Sequence, residues 1–226
     1  MNPRDIKDGN TVRTRGLAAR VFFSRKGPRT IAKIAGGTWL ARLFLGPPGP
    51  RDLVAAAAAI GVWPVQEWFL HKYLLHLEPR TIAGVEVDPM FARAHRTHHA
   101  DPRDIDHTLL PIQVIVGAAP AAAGMWLLLF GPSRAAVTAM ATYSTMTLFY
   151  EWTHFIVHTN VKPLTAYGHH VRRNHRLHHF RHEDYWFGFT FPLIDRLFRT
   201  DPDPKTIQRS RTAMDLHGLE AERQQA

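Results

Sequence analysis

The sequence predicts an all-α, integral-membrane protein with about four membrane helices in two hairpins and a cytoplasmic helical cap that carries most of its histidines. Three observations support this fold class: long apolar segments, a repeated histidine pattern at helical spacing, and basic residues concentrated outside the apolar segments. A length of 226 residues suits one domain. We expect a basic N-terminal segment (1–30), a membrane domain (31–200) and a polar C-terminal tail (201–226).

The apolar segments are the candidates for membrane helices. They are residues 31–45, 53–70, 109–130 and 135–158. The third contains no charged residue and is about as long as a spanning helix needs to be, whereas Lys33 and Arg42 interrupt the first. Turns rich in glycine and proline join the segments into two hairpins. The alternative is a soluble bundle of buried helices, which the mean hydropathy of −0.21 favours. The length of the third segment and its lack of charge favour a membrane protein instead.

The charge of the chain bounds its partners and its orientation. There are 28 Lys and Arg against 19 Asp and Glu, and the pI is near 10.3. This balance suits nucleic acid, an anionic membrane surface or an acidic protein, but no nucleic-acid-binding module is recognisable. Basic residues concentrate in 1–30, 72–107 and 162–211. Because basic segments stay inside, both termini and the histidine-rich regions are predicted to face the cytoplasm of a multi-pass protein, in a bacterial inner membrane. The basic N-terminal segment is read as either a disordered tail or a segment lying against anionic headgroups.

The histidines are the strongest chemical signal. Of the 15 histidines, ten fall into four spaced groups. The groups are His71 and His76; His95, His98 and His99; His154 and His158; and His175, His178 and His179. Residues at i, i+3 and i+4 share one helix face, so each triplet ("HRTHH" and "HRLHH") is predicted to aim three imidazoles one way. The first two histidines are five residues apart and converge only if the helix end is unwound; otherwise each serves a different metal.

Ten histidines at such spacing indicate a metal site. Neutral imidazole binds iron, zinc, copper and nickel, and ten imidazoles exceed what one ion uses but suit two. The alternative is a solvated or metal-scavenging tract, but the helical spacing and the adjoining apolar helices favour an ordered site. No group reads H-E-x-x-H, so the zinc metalloprotease arrangement is absent. With no cysteine in the chain, thiolate sites and disulfides are excluded.

Three further residues are candidates for support of the metal site. Glu67 precedes His71 by four residues, and Glu151 precedes His154 by three. Each carboxylate is predicted to accept the second N–H of a ligand imidazole and to fix its tautomer; the alternative is a carboxylate that merely lies near the membrane interface. His170 falls outside the pattern and is the best candidate for an accessory role.

The four motifs H-x4-H, H-x2-H-H, H-x3-H and H-x2-H-H, in this order and interleaved with apolar helices, resemble those of the fatty acid hydroxylase / sterol desaturase superfamily. The segment "YWFGFTFPLIDRLFRT" (185–200) is similar to the one that follows the last motif there, and the resemblance covers residues 53–200. It implies a membrane oxidoreductase with a di-iron centre, in which zinc can replace iron on purification. It also implies that the ten histidines are the ligands and that O2 is used to oxidise a C–H bond of a lipid.

The resemblance and the motifs together indicate the electron donor and the route of the lipid substrate. The chain has no dinucleotide fingerprint, no P-loop and no cytochrome b5-like haem domain, so electrons are expected from an external donor such as ferredoxin or cytochrome b5. The lipid is expected to arrive from the bilayer between helices lined by Trp68, Phe69, Trp152 and Phe155, unless these form an interfacial belt.

The substrate and the reaction stay open from the sequence. A fatty acyl chain, a ceramide-like lipid, a sterol or a carotenoid fits the pattern, and the reaction is either hydroxylation or desaturation. A membrane metal-binding or transport protein is the alternative from another class. Its ligands are expected midway along the membrane helices, whereas these histidines cluster at helix ends.

Overall fold

A computed structural model describes residues 2–218 and is mostly helical. The helices are α1 (Arg15–Ser24), α2 (Lys26–Leu43), α3 (Pro50–Phe69), α4 (Met90–Ala100), α5 (Ile105–Thr108), α6 (Ile112–Phe130), α7 (Arg134–Val157), α8 (Ala166–Phe180) and α9 (Leu193–Leu197). A π-helical turn (Leu70–Leu75) continues α3, and short 3-10 turns span Pro3–Asp5, Gly9–Thr11 and Leu216–Gly218. Two strands, β1 (Arg80–Ile82) and β2 (Val85–Val87), form an antiparallel pair.

The four longest helices coincide with the predicted apolar segments, and α7 lies at their centre. It packs against α2, α3 and α6, and the two helices of the first predicted hairpin lie against α7 more extensively than against each other. Small side chains allow this close approach, since Ala55 and Ala59 of α3 and Ala135 and Ala139 of α7 are buried in one cluster. The bundle therefore has a central helix where the sequence predicted two separate hairpins.

Within residues 2–218, two segments are long and apolar enough to cross a membrane. They are Pro50–Leu75 and Ile105–Phe130. Large apolar side chains on both stay exposed, with Leu53 at 70% and Leu128 at 89%. An apolar surface of this kind suits lipid rather than water. The other two long helices, α2 and α7, contain charged residues that lower their hydropathy.

Arg42, the charge that weakens the first apolar segment, is buried with its counter-charge. Its guanidinium lies 3.1 Å from Asp52 Oδ1 and donates to Thr138 Oγ1 at 2.6 Å and to the carbonyl of Gly46 at 2.7 Å. Asp52 also accepts from the backbone N–H of Gly49 at 2.8 Å, at the N-terminus of α3. The charge therefore joins α2, α3 and α7 instead of facing the surroundings.

The β-hairpin corrects the all-α prediction. Ala83 and Gly84 form its turn with φ of 51° and 79°, the left-handed conformation that two-residue hairpin turns require. Most residues of the two flanking strands are β-branched. The hairpin is exposed and lies between the π-helical turn and α4.

The N-terminal segment is folded, so its interpretation as a disordered tail is wrong, whereas its contact with anionic headgroups stays a prediction. Phe22 of α1 is fully buried, and its ring centroid lies 5.2 Å from Trp152 and 5.4 Å from Phe155. Arg25 forms an ion pair with Asp106 at 2.8 Å. Trp152 and Phe155 of α7, which were expected to line a lipid path, therefore pack against α1 instead.

The polar C-terminal segment also folds over its described part. Ser210 donates its backbone N–H to the carbonyl of Arg181 at 2.8 Å, and Ala213 and Leu216 are each 3% exposed. A frayed tail is therefore the wrong interpretation for residues up to 218. Residues 219–226 of the predicted tail lie outside the described residues.

Candidate metal centre

The structure brings the ten patterned histidines together in two clusters of five. The first cluster consists of His71, His76, His95, His99 and His178, and the second cluster consists of His98, His154, His158, His175 and His179. In each cluster, one ring nitrogen per residue lies within 4.8 Å of the others. Eight of the ten side chains are buried and two, His76 and His158, are half-buried. The clusters adjoin, because the ring centroids of His99 and His179 are 4.2 Å apart.

Each triplet contributes to both clusters, which corrects the prediction of a single direction. In α4, His95 and His99 belong to the first cluster and His98 to the second. In α8 the assignment is reversed, so the residue at i+3 belongs to the first cluster and those at i and i+4 to the second. Residues at i and i+4 are related by about 40° on a helix, whereas adjacent residues differ by about 100°. Each helix therefore presents a pair of histidines to one cluster and a single histidine to the other.

The π-helical turn explains the five-residue spacing of the first two histidines. On an α-helix His71 and His76 would diverge by about 140°. The π ladder joins residues five apart, and here it spans Leu70–Leu75. The two ring centroids are 5.3 Å apart as a result. Of the two alternatives, the structure therefore has the two histidines in one cluster, and an extra residue in the turn brings them together rather than an unwound helix end.

Backbone carbonyls fix the ring orientation in the first cluster. The Nδ1–H groups of His71, His99 and His178 donate to the carbonyls of Phe187, Ala213 and Tyr185 at 2.8, 2.7 and 2.8 Å. A carbonyl only accepts, so Nδ1 carries the hydrogen in all three rings. In the neutral imidazole the Nε2 atom then presents a lone pair toward the cluster.

Burial keeps these rings neutral. It lowers the pKa of His99 to about 3 and places the pKa of His178 well below its ordinary value, chiefly through desolvation. Their Nε2 atoms nevertheless lie 3.2 Å apart, and that of His95 is 3.1 Å from His99 Nε2. Because His99 and His178 both present lone pairs at this distance, only a cation between them makes the contact favourable.

The second cluster likewise contains buried imidazole nitrogens that lie close to one another. The Nε2 atom of His175 lies 2.7 Å from that of His158 and 3.0 Å from that of His179. Among residues 2–218, both ring nitrogens of His98 and the Nε2 atom of His154 are buried without a hydrogen-bond partner. Two nitrogens that bind one ion at 2.0–2.1 Å and at right angles are about 3 Å apart. The residues of both clusters therefore fit a transition-metal ion.

Glu67 and Glu151 accept hydrogen bonds from backbone N–H groups and not from imidazoles. This corrects the prediction that each carboxylate fixes the tautomer of a histidine. Glu67 accepts from the N–H groups of Phe189 and Thr190, both at 2.8 Å, and from the Thr190 hydroxyl. Glu151 accepts from the N–H of Leu110 at 3.2 Å. Both carboxylates are fully or nearly fully buried. Their hydrogen-bonding capacity is used by backbone N–H groups that are distant in sequence, and not by imidazole N–H groups. The carbonyl of Phe187 takes the place predicted for Glu67, next to His71.

Asp195 is a supporting residue that the sequence analysis missed. It accepts from the N–H groups of Phe187 and Gly188 at 2.9 and 2.8 Å, and burial raises its pKa to about 6. Together with Glu67 it holds the segment whose carbonyls orient His71 and His178. Its sequence signal is a single acidic residue within the apolar stretch "FPLIDRLF".

His170 and the remaining predicted aromatics lie outside the two clusters. His170 Nε2 is 3.5 Å from the amide nitrogen of Asn174, one turn along α8. Trp68 is buried, stacks on Phe198 with centroids 4.3 Å apart, and donates to Thr200. Phe69 is 51% exposed on the outer side of α3. None of these contacts places an aromatic ring of the predicted set along a path to the histidines.

A different opening reaches both clusters. A cavity of about 20 Å³, here called the notch, lies beside α4, α7 and the start of α6, and it contacts His95 of the first cluster and His154 of the second. Its other lining includes Leu75, Phe91, Ala94, Leu109, Leu110 and Tyr150. The polar residues His107, Thr108 and Glu151 also line it, so the notch is a small, partly apolar cavity beside both histidine clusters.

Comparison with known proteins agrees with this architecture. The sequence model of the fatty acid hydroxylase family matches residues 56–200. The solved structure described as full-length Scs7p, of which only the hydroxylase domain is visible, superposes with a TM-score of 0.63 at 18% identity, covering 88% of this chain and 70% of that one. This likeness shows the fold.

Curated relatives share part of their length with the chain. The fatty acid 2-hydroxylase of Rattus norvegicus is 26% identical over 148 residues, which are 64% of this chain and 39% of that protein. The dihydroceramide fatty acyl 2-hydroxylase FAH1 of Arabidopsis thaliana is 23% identical over 167 residues, 71% of this chain and 65% of that protein. The chain thus spans less than two thirds of each relative. Since the family model covers most of the chain and all four histidine groups, this protein belongs to the fatty acid hydroxylase family.

Proposed function

We propose that the protein is a membrane-bound, O2-dependent lipid hydroxylase in which each histidine cluster holds one iron ion. The observation that carries this is the pair of buried Nε2 atoms of His99 and His178, which face each other at 3.2 Å while both Nδ1 atoms are committed to carbonyls. The ten clustered histidines are the proposed ligands, and zinc competes for the same imidazoles. When bound, the two ions supply the activation of O2 that oxidation of an alkyl C–H bond requires.

The stoichiometry of the proposed reaction determines how many electrons the donor protein must supply. One atom of O2 enters the C–H bond to give an alcohol, and the other leaves as water with two electrons and two protons. The electrons come from an external protein donor such as cytochrome b5 or ferredoxin. The basic surface of the chain, with a formal net charge of +9, favours an acidic donor.

The proposed membrane arrangement has all four long helices in the bilayer, and two of them are supported by their length and apolar composition. The clusters lie at the end where α3 and α7 meet α4 and α8. The basic segments support a cytoplasmic position for this end and for both termini. The ligands then lie at the membrane boundary, as a lipid-modifying enzyme requires, and not midway along the helices, as a transporter requires.

A fatty acyl chain, free or in a ceramide-like lipid, is the proposed substrate. Its oxidation at the second carbon is supported by the relatives, whose names specify fatty acid and dihydroceramide fatty acyl 2-hydroxylation. The proposed route of the alkyl chain to the histidines is at the notch, which contacts His95 of the first cluster and His154 of the second. Desaturation and oxidation of sterols or carotenoids are the alternatives that product analysis distinguishes.

Lipid analysis tests the reaction directly. We expect membranes of cells that express the protein to contain acyl lipids heavier by one oxygen, with the hydroxyl on the second carbon in fragment spectra. Cells that express His178→Ala at the same level are the matched control. Lipids lighter by two hydrogens would instead identify a desaturase, and unchanged lipids in the presence of O2 and an electron donor would contradict the proposal.

Filling the notch tests the substrate path. Leu110→Trp places a large side chain in the narrow opening, and we expect product formation to fall by at least about tenfold with the bound metal unchanged. Leu128→Trp is the matched control, because the same change falls on the 89% exposed surface of α6. Product formation and metal content are measured in the same membranes. Equal activity of the two variants would show that the lipid takes another path.

A further inference from the structure

We propose that residues 210–217, here called the C-terminal strap, hold His99 and His76 in place and thereby retain the metal ion of the first cluster. The strap lies beyond residues 56–200, the part of the chain that matches the family, so the family assignment gives it no role. The inference rests on the proposed metal binding. It makes the strap a positioning element and not part of the reacting site.

The strap contacts the first cluster at two points. The carbonyl of Ala213 accepts the Nδ1–H of His99 at 2.7 Å, which fixes the tautomer that turns Nε2 toward the other imidazoles. Nε2 of His217 donates to the carbonyl of His76 at 2.9 Å, next to the end of the π-helical turn. Both contacted histidines belong to the first cluster.

The strap is itself anchored to the segment that follows α8. Glu183 Oε1 accepts from the hydroxyls of Thr212 at 2.5 Å and Ser210 at 2.9 Å. The backbone N–H of Ser210 donates to the carbonyl of Arg181 at 2.8 Å. With Ala213 buried directly after these residues, the anchor determines where its carbonyl lies.

The three carbonyls that orient the first cluster differ in how they are held. Those of Tyr185 and Phe187 lie in the loop that Glu67 and Asp195 clamp from within the family segment. The carbonyl of Ala213 lies in the strap, 114 residues from His99 in sequence. The side-chain part of the strap's anchor to Glu183 consists of two hydroxyl groups. Loosening the anchor should therefore free one imidazole of the first cluster and leave the second cluster intact.

Metal release from the full-length protein tests this inference. The variants are Ser210→Ala with Thr212→Val, which remove the two hydroxyls and keep the chain length. Thr206→Val is the matched control, since its hydroxyl is exposed and bonds to the nearby carbonyl of Asp203. Purified protein is loaded with Zn²⁺ and mixed with a chromogenic chelator. We expect one of two ions to leave about 10- to 100-fold faster in the double variant, with the second ion released as in the wild type.

Two results would overturn the role of the strap. Release of both ions at the wild-type rate would show that the anchor is irrelevant to the first cluster. Equal acceleration of both ions would show a general loosening of the fold and not a local effect. A wild-type protein that binds no ion under the same loading would instead contradict the metal-binding proposal itself, so the two failures are distinguishable.

Discussion

His178→Ala should abolish product formation, by more than about a hundredfold, and reduce bound iron from two ions to one. His178 contributes to the first cluster, where its Nε2 lies 3.2 Å from that of His99, and alanine offers no replacement nitrogen. His98→Ala should produce the same loss through the second cluster, although His98 adjoins His99 in the chain. Product per unit of protein and metal content are measured on detergent-purified variants.

The control for these variants lies on the same helix as His178. His169 is exposed near the start of α8 and belongs to neither cluster, so His169→Ala should keep activity and both ions. His217 is unsuitable as a control, because it contacts the carbonyl of His76. If His169→Ala lost as much activity as His178→Ala, the assignment of ligands by cluster would have to be withdrawn.

Arg96→Ala should lower the free energy of unfolding by about 3 kcal/mol, the cost of leaving a buried charge without its partner. The Arg96 guanidinium donates to Asp88 Oδ1 at 2.5 Å and to the carbonyl of Leu77 at 2.7 Å, and both charged side chains are nearly buried. Arg93 lies 3.5 Å from the same carboxylate and offsets part of the loss. Arg96→Lys keeps the charge but not both hydrogen bonds and should cost about 1–2 kcal/mol.

Arg176 is the matched control for Arg96, since it occupies the same place in the second triplet. It is exposed on α8, so Arg176→Ala should change the free energy of unfolding by less than about 0.5 kcal/mol. Thermal and denaturant unfolding in one detergent compare the two. Equal destabilisation by both changes would show that the ion pair with Asp88 contributes nothing.

Much of the site was predictable from periodicity alone. Helical spacing identified the histidines that meet, because i, i+3 and i+4 positions on α4 and α8 lie on neighbouring faces. The apolar segments located the four long helices, since long stretches with few charged residues are typical of buried or membrane helices. The division of each triplet between two clusters was not predictable, because it depends on the direction from which α4 and α8 approach each other.

Hydrogen-bond partners were the least predictable part of the site. Glu67 and Glu151 lie at the right spacing to reach a histidine, yet backbone N–H groups over 40 residues away in sequence occupy them. The strap gave no sequence signal, because its polar residues show no periodicity and its contact with His99 is made by the backbone carbonyl of Ala213, a group that any residue has. The burial of Arg96 was not predictable either, because its partners Leu77 and Asp88 lie on either side of the β-hairpin, an element that the sequence did not predict.

Because of the π-helical turn, the first histidine motif is constrained in the number of residues between its two histidines more than in the types of those residues. The four residues between His71 and His76 are Lys72, Tyr73, Leu74 and Leu75, and none of them is fully buried. Substitutions of Lys72 and Tyr73 change mainly the surface, whereas an insertion or deletion shifts the register and rotates one imidazole out of the cluster. Natural variation within this motif is therefore expected to change residue types at Lys72 and Tyr73, to keep an apolar residue at Leu75 in the notch, and to preserve the length of the motif.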